Sequence, residues 1–292
     1  MLRGDVAMHE ALPIIFDTDI GSDIDDAYAL AMILSSHELS LEAVTVVSGD
    51  IPARARIAAK MLALAGRDDV PLAHGVPNPK DVNQAPWAEG FAYEPDPRSA
   101  PELIVEMVSA RPGEITLVPV GPMSNIAAAL ELRPELADEV AEIVIMGGGV
   151  WTGYRSHLHP VPEYNIKVDV PAAQALFESG APIRMAGLEA TAALQFDRFL
   201  QERLAQAGVP LAQAMTELLT HWPSRTPTLY DPMAVAMVIE PGICDYEPAC
   251  VAVEKDGLTV ECDGEPNCLV AVRPRIARFF ELLMAKLTAG AV

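Results

Sequence analysis

Positive charge is scarce in this chain: 20 Lys and Arg stand against 41 Asp and Glu, for a net charge of −21 over 292 residues. Nucleic-acid binding draws its affinity from cations that neutralise phosphates, so this balance excludes it as a main activity. The same field disfavours a heavily phosphorylated small substrate. Cysteine is also sparse. The four residues Cys244, Cys250, Cys262 and Cys268 are too few for a disulfide scaffold in a chain this long. Their spacing is too wide for a zinc ribbon, and the local alternation reads them as strand residues. No apolar run approaches the roughly 18 residues of a membrane span; residues 27–34 form only a helix-sized stretch. Met1-Leu-Arg-Gly-Asp-Val lacks the basic and then apolar pattern of a signal peptide. These absences lead to the expectation of a soluble, cytoplasmic protein with no membrane or nucleic-acid partner.

Hydrophobic residues make up 51% of the chain, enough for a sizeable core. Strand-like apolar runs alternate with helical patterns: residues 14–16 then 26–34, 43–47 then 53–65, 117–120 then 124–130, and 143–146 then a long loop. Residues 171–178 and 183–186 continue the rhythm, and Gly66 ends the second helix as a C-terminal glycine commonly does. Short buried strands separated by helices predict an α/β fold: an open, mainly parallel (mixed) sheet with helices on both faces. Residues 77–101, rich in Pro, Asn and acids with Trp87, Phe91 and Tyr93 interspersed, read as a long functional loop. Residues 244–272 read as antiparallel strands (249–253, 258–261, 269–272) with turns at Asp256-Gly257 and Asp263-Gly264. A final amphipathic helix covers 275–287. Without a linker or repeat, the expectation is one domain over 1–292, with 1–12 as a flexible tail.

Phe16-Asp17-Thr18-Asp19-Ile20-Gly21-Ser22-Asp23-Ile24-Asp25-Asp26-Ala27 packs five carboxylates between an apolar strand and an apolar helix. At the carboxyl end of a strand in such a sheet, ligands bind. Carboxylates crowded there raise one another's pKa unless a cation compensates. A helix N-terminus helps somewhat; a divalent ion helps far more. The donors are all oxygens, which favours Ca²⁺ or Mg²⁺, and the spacing is not that of an EF-hand. Haloacid-dehalogenase phosphatases also place Asp-x-Asp after a first strand, but Gly21 and the Asp25-Asp26-Ala27 continuation depart from their pattern.

The run Asp17-Thr-Asp19-x-Gly21 with Asp25-Asp26-Ala27 resembles the signature of the inosine-uridine-preferring nucleoside hydrolases. Gly121-Pro-Met-Ser124-Asn125, Met146-Gly147-Gly148-Gly149, Glu163-Tyr164-Asn165 and Tyr230-Asp231-Pro232 resemble further family motifs, in family order. The resemblance implies hydrolysis of a ribonucleoside to ribose and free base by a calcium-dependent homo-oligomer, a dimer or tetramer. It implies that Asp19, Asp26, Asp231 and the backbone carbonyl of Ser124 bind calcium, and that Asp19 takes a proton from the attacking water. Asp25, Glu163 and Asn165 are implied to hold ribose hydroxyls, and Met146 to pack against the sugar. Simpler roles stand beside these: Asp231 and Ser124 as helix caps, Gly147–Gly149 as a turn, and Glu163 and Asn165 as polar loop residues.

Three departures limit the resemblance. Tyr230 stands where a His often acts as leaving-group acid; a phenol of pKa about 10 is a weaker acid than imidazolium. Asp50 stands where an Asn usually touches ribose. The stretch from Gly149 to Glu163 carries His157-Leu158-His159, which could supply the acid instead. The alternative from another class is a nucleoside- or ribose-binding calcium protein without turnover. Intact Asp19 speaks against it, and the missing His speaks for it. His74 and His221 read as structural.

Overall fold

A computed structural model describes residues 11–157, 159–222 and 226–290. Of the expected tail, residues 1–10 lie outside the described residues; Leu12 already belongs to the first strand. The elements in chain order are β1 (Leu12–Thr18), α1 (Asp25–Leu34), β2 (Leu39–Val46), α2 (Ile51–Leu64) and β3 (Leu72–His74). Then come α3 (Ala100–Ala110), β4 (Thr116–Pro119), α4 (Ser124–Leu132), α5 (Leu136–Glu139), β5 (Glu142–Met146), α6 (Tyr164–Val168), α7 (Val170–Glu178) and β6 (Ile183–Ala186). The last part holds α8 (Leu188–Thr191), α9 (Arg198–Ala205), α10 (Pro210–Leu219), α11 (Asp231–Ile239), β7 (Asp245–Ala249), β8 (Val251–Val253), β9 (Thr259–Glu261), β10 (Cys268–Val272) and α12 (Ile276–Ala289).

Eight strands form one sheet in the order β3-β2-β1-β4-β5-β6-β10-β7. All neighbours are parallel except β10 and β7. The expected open, mainly parallel sheet is therefore present. The alternation along β1 shows why both faces are covered: Ile14 and Phe16 enter one core, and Ile15 enters the other. The first core takes α1, α2, α10, α11 and α12; the second takes α3, α4, α5 and α7. Each fully buried Leu or Ile contributes about 1.5–3 kcal/mol. Among the described residues, no helix is long and apolar enough to cross a membrane.

The C-terminal strands differ from expectation. The predicted run 249–253 is split between two strands: β7 stays in the main sheet, and β8 turns out to pair with β9 as a separate antiparallel hairpin. The last strand, β10, is antiparallel only to β7; its other edge runs parallel to β6. Its composition suits either pairing, so local pattern does not select one. A Cys250–Cys262 disulfide staples the hairpin, whereas Cys244 and Cys268 are free and buried. Of the four cysteines expected in strands, only Cys268 lies in one; Cys244, Cys250 and Cys262 sit just outside strand ends, and their spacing gives no sign of the bridge.

Candidate active site

The site lies at the carboxyl ends of β1, β4 and β5. Beyond β1 the chain turns into α1, which is buried along its whole length and packs against the equally apolar α11. Their packing sets two helix N-termini side by side, and the first turns carry Asp25, Asp26 and Asp231. The positive ends of both helix dipoles thus face three carboxylates. These are nearly inaccessible, at 5%, 2% and 4%, and each offers an oxygen such that all three lie within 4.8 Å of one another. Asp26 accepts from the Thr18 hydroxyl at 2.6 Å, and Asp25 from the Tyr230 backbone N–H at 3.1 Å. Burial first, then repulsion from neighbouring carboxylates, raises all three: Asp25, beside Asp23, to about 7, and Asp26 and Asp231, beside Asp25 and Asp19, well above the ordinary carboxylate range.

Asp19 stands in the same wall but faces cations. Its Oδ2 lies 3.1 Å from Lys80 Nζ and 3.7 Å from Arg54 Nη2. Arg54 is fully buried, donating to the carbonyls of Ser48 and Ile20 at 2.6 and 2.8 Å and to the Ser22 hydroxyl at 2.9 Å. Lys80 also sits 3.8 Å above the Tyr164 ring. Asp17, one residue deeper in β1, accepts from Thr45 and Asn125 and is raised to about 7 by burial. Gly121 follows β4 because a Cβ there would meet the Asp19 backbone nitrogen at 2.9 Å.

The opposite wall comes from the loop after β5. Gly148, at φ +75°, turns its N–H onto Glu163 Oε2 at 3.0 Å. Glu163 also caps α6 through the Ile166 N–H, and burial raises its pKa. The Asn165 amide donates to the carbonyls of Val120 (2.7 Å) and Met146 (3.2 Å). Asp19, Asp23, Asp25, Asp26 and Asp231 enclose, with Lys80, Val120, Met146, Glu163, Asn165 and Tyr164, an inner chamber of about 70 Å³. Tyr154 and Tyr230 stand at its mouth, edge to face with centroids 6.1 Å apart. Through them, Asp23, Asp25 and Tyr164 it adjoins an outer cavity of about 1030 Å³ that includes His157, Gln195, Trp222 and Thr228.

This arrangement coincides with a sequence match. Residues 14–281 fit the model of the inosine-uridine preferring nucleoside hydrolases. The chain belongs to that family. It is thereby a hydrolase of N-glycosyl compounds that splits nucleosides into base and ribose. The chain is 33% identical to a pyrimidine-specific ribonucleoside hydrolase RihA of Citrobacter koseri, over 95% of this chain and 98% of that one. It is 36% identical to a RihA of an Enterobacter species over 85% of each. Its fold is similar to a plant nucleoside hydrolase, PpNRh1 (TM-score 0.86, 28% identity, 95% and 99% coverage). A purine-preferring ribonucleoside hydrolase from Gardnerella vaginalis also matches (TM-score 0.80, 27% identity, 95% and 98% coverage).

In this nucleoside hydrolase the chamber gathers Asp19, Asp25, Asp26, Met146, Glu163, Asn165, Tyr230 and Asp231, all singled out from sequence. Two others lie elsewhere. Ser124 begins α4, its hydroxyl donates to Asp169 at 2.6 Å, and it is not part of the chamber lining. The carbonyl of a first helical residue points down the helix, away from the strand ends; the carbonyl that borders the chamber belongs to Val120. Asp50 is an exposed N-cap of α2, accepting from Ala53 N–H at 3.1 Å, and it too is outside the chamber. His157 lines the outer cavity, His159 is exposed, and Leu158 lies outside the described residues. Trp87, Phe91 and Tyr93 pack against the core, with Trp87 donating to Glu217 and lying under Lys60. His74 pairs with the Tyr93 hydroxyl at 2.9 Å.

Lys80, Arg54 and Tyr154 were missed by sequence reasoning. Arg54 carried one signal: it occupies a position on the buried stripe of α2, beside Ile51, Ala55 and Ala58.

Proposed function

We propose that this chain is a calcium-dependent ribonucleoside hydrolase, a single domain working in a cytoplasmic homo-oligomer, with Asp19 as general base and Tyr230 as the donor to the leaving base. The observation that carries the reading is the trio of buried, converging carboxylates at the floor of a two-part cleft. Three such groups, raised by desolvation and repulsion, call for a hard cation, and their donors are all oxygens. Two of the three, Asp26 and Asp231, would hold it with Asp19 from the same wall, leaving Asp25 beside the ion to face the ribose, and Val120 would offer the backbone carbonyl expected of Ser124. When bound, calcium supplies charge that lowers the pKa of a coordinated water and favours ribose hydroxyls at that point.

The rest falls to the chain's own groups. The inner chamber takes the ribose, with Asp25, Glu163 and Asn165 on its hydroxyls and Met146 against its ring. Water attacks the anomeric carbon and gives its proton to Asp19. The C–N bond breaks with its electron pair passing to the base nitrogen, and the Tyr230 hydroxyl supplies the proton that neutralises it. Burial raises this phenol above its ordinary range, so it is protonated at neutral pH. Solvent returns the proton to Tyr230 and removes the one on Asp19.

The test is free-ribose release from uridine, cytidine and inosine, with and without calcium. Asp19→Asn should lower kcat by ~10²–10⁴ while calcium, counted by elemental analysis, stays bound. Asp26→Ala should lose the ion. Full turnover by the metal-free protein sinks the calcium assignment. Ribose and calcium binding without turnover would favour the binding-protein reading, which the absent His motivates. Location has its own test: in a reducing compartment Cys250 and Cys262 would be thiols, so protein alkylated in intact cells should show four free cysteines.

A further inference from the structure

The hairpin of β8 and β9 stands apart from the main sheet, and the reaction above gives it no part. Two of its residues nevertheless reach the segments that hold Glu163. Thr259, fully buried, accepts the Gly149 N–H on its hydroxyl oxygen at 2.9 Å. The N–H of the preceding Gly148 is the one that meets Glu163 Oε2 at 3.0 Å. At the hairpin turn, Gly257 lies so close to α6 that a Cβ there would stand 2.8 Å from the Lys167 Cα. Glu163 is the N-cap of that helix and takes the Ile166 N–H on the same oxygen, at 3.3 Å. Backbone donors from two segments thus converge on Oε2, and the hairpin backs both segments. Oε1 lies 3.5 Å from the Tyr154 hydroxyl at the chamber mouth.

We propose that Thr259 is a positioning residue, acting through the Gly148–Gly149 peptide to aim Glu163 at the ribose. Two successive glycines have wide backbone freedom, so no side chain of their own fixes where these N–H groups point. The peptide between them is held at both edges instead, its N–H by Thr259 and its C=O by the Leu188 N–H at 2.9 Å. With that plane pinned, Gly148 keeps its own N–H on Oε2, and Oε1 is the oxygen left for a ribose hydroxyl. Without the Thr259 hydroxyl, the buried Gly149 N–H loses its acceptor. Such a group costs enough that the loop turns to find another, and Glu163 turns with it.

The inference rests on Glu163 holding a ribose hydroxyl, and the experiment tells the two apart. The readouts are KM for the nucleoside cleaved fastest and the Kd of free D-ribose by calorimetry, set against kcat. Binding that is equal in the ground and transition states moves KM and leaves kcat. Glu163→Ala should raise both constants and sets the full size of the effect. Thr259→Val keeps the shape, removes the acceptor, and should raise both about tenfold with kcat little changed; Thr259→Ser should restore them. If the valine variant does not fold, Thr259→Ala against Thr259→Ser gives the same comparison. In a Glu163→Ala background, Thr259→Val should add nothing. If Glu163→Ala raises both constants and Thr259→Val changes neither, the part of the hairpin is refuted and the ribose contact stands. If Glu163→Ala itself changes neither, the ribose contact fails and the inference with it. A fall in kcat alone, or no rescue by serine, would reveal a merely structural role and overturn the proposal.

Discussion

Stripping metal from the chamber should leave a protein whose stability falls as pH rises, the reverse of an ordinary ion-paired carboxylate. Asp25 shows the size of the effect. Burial raises it from 3.8 to about 7 in the folded chain. Below pH 3.8 both states hold the proton. Above it the unfolded chain releases the proton while the folded chain retains it, so stability is lost until pH passes the folded value. Between pH 5 and 7.5 this one group costs about 2–3 kcal/mol. Asp17, raised to about 7 from the same starting value, pulls in the same direction. At about 2–4 °C per kcal/mol, Asp25 alone lowers Tm by about 5–10 °C over that interval. Calcium at a hundredfold excess over its Kd restores about 2.7 kcal/mol, and more at pH 7.5 than at pH 5, where it competes with protons. Thermal melts of resin-stripped protein at pH 5, 6 and 7.5, with and without calcium, read this out. A flat or rising Tm in the stripped protein, or calcium protection equal at pH 5 and 7.5, would refute the reasoning.

Arg54→Met removes the buried partner of Asp19 and of two carbonyls; it should cost about 3–5 kcal/mol by urea unfolding, and a loss under 1 kcal/mol would mean the cluster is not held by this residue. Asp50→Ala should cost about 1 kcal/mol through its cap and leave kcat/KM on uridine within twofold; a large activity loss would return Asp50 to the ribose site. Reduction of the Cys250–Cys262 bridge, which spans a sequence separation of 12, should destabilise the protein by up to about 3 kcal/mol. That is measured by denaturation with and without dithiothreitol, and an unchanged midpoint would show that the hairpin holds without it.

The parts legible in the sequence were those where local pattern and tertiary role agree. The 14–16 and 183–186 runs are strands because their residues suit a sheet covered on both faces, and Asp25-Asp26 stands out because it adds a carboxylate pair to three neighbouring acids between two apolar elements, where charge is costly unless a cation compensates. Strand β3, three residues long, is too short for any period to register. Helix α3 begins at Ala100, inside the proline-rich stretch expected to be a loop; its capping box, Ser99 with Glu102, is the local signal that marks its start. Lys80 and Tyr154 sit on irregular segments, where no periodicity says which way a side chain points. Ser124 and Asp50 were placed by motif alignment, whereas helix direction and capping geometry decide where their atoms lie.

The position of β10 has a consequence for how the chain is made. Its partner β6 ends at Ala186, and β10 does not begin until Cys268. At about 5–20 residues per second, a ribosome takes roughly 5–15 s to cover that interval. Throughout it the edge of β6 has no native neighbour on that side, and an unpaired edge invites pairing with another chain. The antiparallel β7 cannot shield it, since β7 reaches the sheet only through β10. The nascent chain is therefore most exposed to aggregation late in synthesis, and chaperone capture should peak on ribosomes stalled between these two strands.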